Sequence, residues 1–222
     1  MRKTGVSGRG LGALIVLVVM MSLVVAIPFS AARAQDAAPV QASDLAGLSL
    51  IELTQRLTGE IIDMRSRDRS GDTPIYRIDD ALFVSEEDVA ALLNVLIVRT
   101  ALKKQAGFGA KGALAQPTEE RARDFLVHEM LLTAKAQAFG YDADALREDV
   151  LHYMREGWLS PEPPTPDASD VETLVKQGLM RVQLLRNDLT SAQDSDLPYA
   201  GSAPLIDALV EELRAEFPHD AQ

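Results

Sequence analysis

Apolar positions recur at helical spacing through most of this chain. Leu50, Leu53, Leu57, Ile61 and Met64 fall three or four residues apart behind Ser49 and Glu52, which have capping-box spacing. This predicts a first helix from Leu50 to Met64, fading in the polar stretch 65–72 and stopped by Gly71. The period then changes. Ile75, Tyr76 and Ile78, then Leu82, Phe83 and Val84, flank Asp79-Asp80 and predict two short strands around a tight turn, though Asp-Asp is weaker turn chemistry than Asn-Gly. Ser85 caps a second helix, with Asp88 standing in for the capping-box Glu and Val89, Leu92, Leu93, Leu96, Ile97 and Leu102 as the buried face.

A Gly/Ala-rich loop, 105–116, separates this pair from a third helix, capped by Thr118 with Glu119 and Glu120 at its positive end. Its stripe is Phe125, Leu126, Met130, Leu131 and Ala134, and Gly140 ends it in a left-handed conformation. Asp142 or Asp144 caps a fourth helix, with Leu146, Val150, Leu151, Tyr153 and Met154 inward. Residues 158–167 carry Pro161, Pro163, Pro164 and Pro166 and form a stiff, extended connection. Ser169 and Glu172 make the capping box of a fifth helix bearing Val171, Leu174, Val175, Leu179, Val182 and Leu185. After a polar loop, a last helix from Pro204 to Phe217 places Leu205, Leu209, Val210 and Leu213 on one side. The expected fold is mostly α: an irregular helical domain of about six helices with one short β-hairpin, spanning residues 49–222.

The first 34 residues change the setting. Arg2, Lys3 and Arg9 precede an apolar run from Leu11 to Ile27, then Pro28 and Ala32-Arg33-Ala34. That order is the grammar of a secretory signal peptide cleaved after Ala34, leaving about 188 of the 222 residues outside the cytoplasm. The rival is an uncleaved run 11–27 that anchors the chain in the inner membrane, since about 17 residues is at the short edge of a span. Residues 35–43 are rich in Ala, Pro and Gln and aperiodic, so 35–48 reads as a flexible leader. No second apolar run approaches membrane length, so no stable membrane insertion is expected after cleavage.

Charge excludes one class of partner. Four of the 22 basic residues (Arg2, Lys3, Arg9, Arg33) and none of the 33 acidic ones precede the cleavage site, so the mature chain carries a formal charge of −15. It repels phosphate backbones, and nucleic acid is not an expected partner. There are no cysteines, hence no disulfides and no thiolate chemistry.

Candidate chemistry is sparse. Gly107, Gly109 and Gly112 match G-x-G-x-x-G, but a dinucleotide site needs that motif between a strand and a helix in a βαβ unit, and here a helix precedes it. It reads as a loop, at most a mobile lid over a groove. His128-Glu129 begins like a zinc-protease motif, but Leu132 stands where the second His is needed. With only His152 and His219 besides, no metal is expected. No G-x-S-x-G is present, and the pairs Glu86-Glu87 and Glu119-Glu120 suit helix dipoles better than catalysis, so neither an enzyme nor a cofactor is expected. Met130, Met154 and Met180 fall on three different predicted helices. Core filling is the ordinary use of such methionines; an adaptable apolar groove for varied peptides is the other, with Trp158 at its edge.

The order of elements from Ile75 to about Leu189 resembles the N-terminal domain of SurA-type periplasmic chaperones. The likeness rests on a hairpin running directly into Ser85-Glu86-Glu87-Asp88-Val89, the family's S-x-x-D-V entry. It rests also on Arg123, Leu126, Val127, Glu129, Leu131, Ala136 and Gly140, which fill the pattern R…L-I-x-E-x-L…A…G with Val127 for the usual Ile. The helix from Pro204 matches in place the family's C-terminal segment, which returns to complete the domain. Many members insert a parvulin-type prolyl isomerase domain before that segment; the 16 residues between Asn187 and Pro204 are far too few for one. The helix from Leu50 to Met64 has no assigned counterpart. The resemblance implies a periplasmic, ATP-independent holding chaperone whose partners are unfolded or extended segments of exported proteins. Phe125, Met130, Met154 and Trp158 are the candidate peptide-binding residues. The alternative is a non-catalytic adaptor that docks one fixed cell-envelope partner.

Overall fold

Two serines open the first two helices by the same device. A computed structural model describes residues 40–107, 116–141, 165–187 and 199–217. Helix α1 (Leu50–Ser66) begins where Ser49 Oγ accepts the Glu52 N–H and the Glu52 carboxylate accepts the Ser49 N–H at 2.8 Å. It ends five residues before Gly71, because Arg67 turns to extended backbone (φ −60°, ψ 133°) and carries its guanidinium to Asp72 and Asp88. Strands β1 (Pro74–Arg77) and β2 (Phe83–Ser85) are antiparallel, with Tyr76 opposite Val84, Arg77 opposite Phe83 and a bulge between Pro74 and Tyr76. The turn between them is held by Asp79, whose Oδ1 accepts the N–H groups of Ala81 and Leu82, each at 2.8 Å. A side-chain acceptor thus does the work that Asn-Gly does by backbone conformation.

Helix α2 (Glu86–Gln105) has a complete capping box between Ser85 and Asp88, so the shorter Asp side chain suffices. Helix α3 (Glu119–Ala138) starts on Thr118, whose Oγ1 accepts the Arg121 N–H. It ends in a Schellman motif: Gly140 has φ +82°, its N–H reaches the Gln137 carbonyl, and the Tyr141 N–H reaches that of Ala136. Helix α4 (Val171–Asn187) corrects the capping assignment. Asp170, not Ser169, accepts the Thr173 N–H, while Ser169 folds back on Asp167. A 3₁₀ turn (Ala200–Ser202) leads into α5 (Ala203–Glu216), where Pro204 in the first turn loses no helical hydrogen bond.

The protein is mostly α, with five α-helices and one two-stranded hairpin among the described residues. The main core joins Val84, Val89 and Leu92 to the inward faces of α3, α4 and α5. A second cluster lies at the other end of α2, where Val95, Val98 and Leu102 meet Leu53 and Leu57 of α1 and Val40 and Leu45 ahead of it. Helix α2 therefore buries two faces. Val95 and Val98, outside the single stripe expected from periodicity, are buried, while Leu93, Leu96 and Ile97 are half-buried. The expected leader is held from residue 40 onward: Val40 and Leu45 are buried, and Ala42–Leu45 forms a 3₁₀ turn against α2. The expected signal peptide 1–34, the loop motif beyond Gly107, the expected fourth helix and Trp158 lie outside the described residues. Among those described, no helix is long and apolar enough to cross a membrane.

Candidate functional site

Helical geometry sets the first test of the predicted site. Phe125 and Met130, five residues apart on α3, are separated by about 140° around the helix axis. Met130 is 7% exposed and belongs to the main core; Phe125 is half-buried against the same core on another side. Met154 and Trp158 lie outside the described residues. The structure thus places two of the four candidates on one helix without joining them on one face. Met130 does line a small hollow with Tyr76 and Ile78 of the hairpin, Val127 and Leu131 of α3, Arg214 of α5 and Phe217 just beyond it. Its volume is about 10 Å³, room for about one water and not for a peptide. Met180 is half-buried and accepts a hydrogen bond from the Tyr199 hydroxyl at 3.3 Å.

The densest polar constellation sits where the hairpin meets α2. Arg67 pairs with Asp72 at 2.6 Å and with Asp88, and Arg69 pairs with Asp88 at 2.7 Å and donates to the Phe83 carbonyl at 2.7 Å. The Arg69 guanidinium also stacks 4.0 Å from the centroid of the Phe83 ring. Ser85, fully buried, donates its hydroxyl proton to Asp72 at 2.8 Å while capping α2. Burial pushes the Asp88 carboxyl up, but the Ser85 N–H and the two guanidinium groups outweigh it and hold Asp88 below its usual value. These pairs join residues 67–72 and the hairpin to the start of α2, so together they form a clasp between the three. In the sequence it reads only as a polar stretch after a helix, because charge pairing across 19 or 21 residues leaves no periodic signal.

The acidic pairs take the roles their positions predict and one more. Arg123 bridges the first turns of two helices, reaching Glu86 at 3.1 Å and Glu119 at 2.8 Å. His128 faces Arg214, and burial together with that cation holds its imidazole below the usual value, against the opposing carboxylates of Asp207, Asp124 and Glu211. Among the described residues no group of His, Asp and Glu side chains has the arrangement to hold a metal ion.

One polar contact in the second cluster lay outside sequence reasoning. Asn94 Oδ1 on α2 accepts the backbone N–H of Val40 at 3.1 Å, across 54 residues. The Val40 side chain, 5% exposed, enters the cluster of Val95, Val98 and Leu102. A signal existed: Asn94 is the lone polar residue between Val89 and Val98, and Asn inside an apolar helical run favours neither helix nor burial without a partner. No protein-family model, curated protein or solved structure matches the chain.

Proposed function

We propose that this protein is an exported, ATP-independent holding chaperone that binds extended apolar segments of unfolded envelope proteins. The observation that supports the reading is how the elements on which the resemblance to SurA-type chaperones rests follow one another and pack. The hairpin runs without a break into the Ser85-capped α2, α3 follows and closes on Gly140, and α5 returns to pack on both α3 and α4. Holding an unfolded client needs no chemistry, only affinity for its apolar segments, which withdraws it from aggregation by mass action. The partly buried apolar side chains that border the main core, among them Ile75, Tyr76, Leu93, Leu96 and Phe125, supply the surface character this asks for.

Light scattering tests it directly. An unfolded outer-membrane β-barrel protein is diluted from denaturant with and without a several-fold molar excess of the chain lacking residues 1–34. Suppressed scattering without ATP is expected, and unchanged scattering removes the reading. Recovery of a single stoichiometric native partner from envelope extract, with indifference to unfolded clients, would replace it with an adaptor.

A further inference from the structure

The contact between Val40 and Asn94 has the form of peptide recognition. Val40 precedes Gln41, an extended residue (φ −102°, ψ 140°), and it lies in a stretch whose other residues from 35 to 44 carry no large apolar side chain. Its backbone N–H is satisfied by a side-chain amide, not by a helix or strand, and its side chain is buried in the cluster that Val95, Val98 and Leu102 of α2 form with Leu45, Leu53 and Leu57. An Asn amide offers one acceptor and two donors, so it can pair with the backbone of any residue whatever its side chain. An apolar slot next to a backbone-reading amide selects for one buried aliphatic side chain on an extended strand and little else. The leader reaches this slot from 54 residues away, as a separate piece of chain ahead of the first helix.

We infer that the slot on α2 formed by Asn94, Val95 and Val98 is a peptide-binding site, occupied in cis by Val40 of the chain's own leader. An extended apolar segment of another polypeptide takes it in trans when the leader leaves. This rests on the holding-chaperone reading for the source of that segment, and it adds where the segment binds and what excludes it at rest. A tethered occupant acts at high effective concentration and lowers the apparent affinity for any competitor by the fraction of time it sits in the slot.

The test uses a fluorescently labelled peptide with the sequence of residues 36–46 and anisotropy as the readout. Val40→Asp replaces a buried aliphatic side chain with a charge and drives the leader out. It is expected to bind the peptide about tenfold more tightly than the unaltered chain. Adding Asn94→Leu, which keeps the volume and removes the amide, is expected to abolish that gain. No gain in Val40→Asp, or a gain that survives Asn94→Leu, overturns the assignment. Far-UV circular dichroism checks folding. If Val40→Asp does not fold, the milder Val40→Ser is expected to show a smaller gain of the same sign, and its absence counts equally against the site. The two readings fail separately. Peptide capture without suppression of aggregation leaves the slot standing and removes only the holding activity, whereas suppression without peptide capture removes the slot.

Discussion

Asp88 carries three duties in one carboxylate: it completes the α2 capping box, pairs with Arg67 and pairs with Arg69. These interactions favour the charged form in the native state and set its value below the ordinary 3.8. A group whose native value is depressed adds stability that is fully present above its unfolded value and is lost as pH falls through the native one. Urea midpoints should therefore be flat with respect to this group down to about pH 4 and drop below it. Asp88→Asn should be less stable at neutral pH and should lose that share of the acid-side slope. An unchanged slope would mean that the clasp does not discriminate between the charged and neutral carboxyl. The box itself was legible, since Ser85 and Asp88 stand at the right spacing. The two arginines were not, because nothing local ties Arg67 or Arg69 to a residue beyond the hairpin.

Two glycines show how different constraints act within elements. Gly140 has φ +82°, and a Cβ placed there would meet nothing within 4 Å, so its requirement is conformational. Gly178, in the middle of α4, has ordinary helical backbone, but a Cβ there would lie 2.9 Å from Leu132 Cδ1 and 3.1 Å from Ile206 Cγ2. Gly140→Ala should cost about 1 kcal/mol through the left-handed backbone alone. Gly178→Ala gains about 1 kcal/mol of helix propensity but overpacks the contact among α3, α4 and α5 by about 1–3 kcal/mol. A net loss is expected, and adding Leu132→Ala should make the pair markedly non-additive in chemical denaturation. Strict additivity would show that the three helices adjust freely at this point. The Gly140 stop could be read from the sequence because it ends an apolar stripe. Gly178 resembles an unwelcome residue inside a helix until the neighbouring helices are in place.

Across the whole molecule, the apolar side chains divide into two clusters that meet along α2, with Met64 packed against both. The second is the smaller, built on Val40, Leu45, Leu53 and Leu57 against one end of α2, and α1 exposes Leu50 and Ile51 to solvent. Fewer buried apolar contacts mean a lower free energy of local opening. Backbone amides of α1 should exchange with solvent faster than those of α3 and α4 under native conditions. Equal protection throughout would make the described residues a single cooperative unit. If the leader is the slot's resident occupant, Val40→Asp should accelerate exchange in α1 more than in α4.

The sequence by itself determined most of the elements: the helical periodicity, the caps Ser49, Ser85 and Thr118, the Asp-bearing turn and the Gly140 stop all act within a few residues, where chain connectivity fixes the geometry. It also determined the class, mostly α with one short hairpin. Tertiary structure decided what those elements share. It gave α2 two buried faces instead of one and turned Met130 into the core. It drew Arg67 and Arg69 to Asp88, and it brought Val40 to Asn94. Each of these depends on partners tens of residues away or on a second packing face, and a one-dimensional pattern carries the period of a face but not the identity of what covers it.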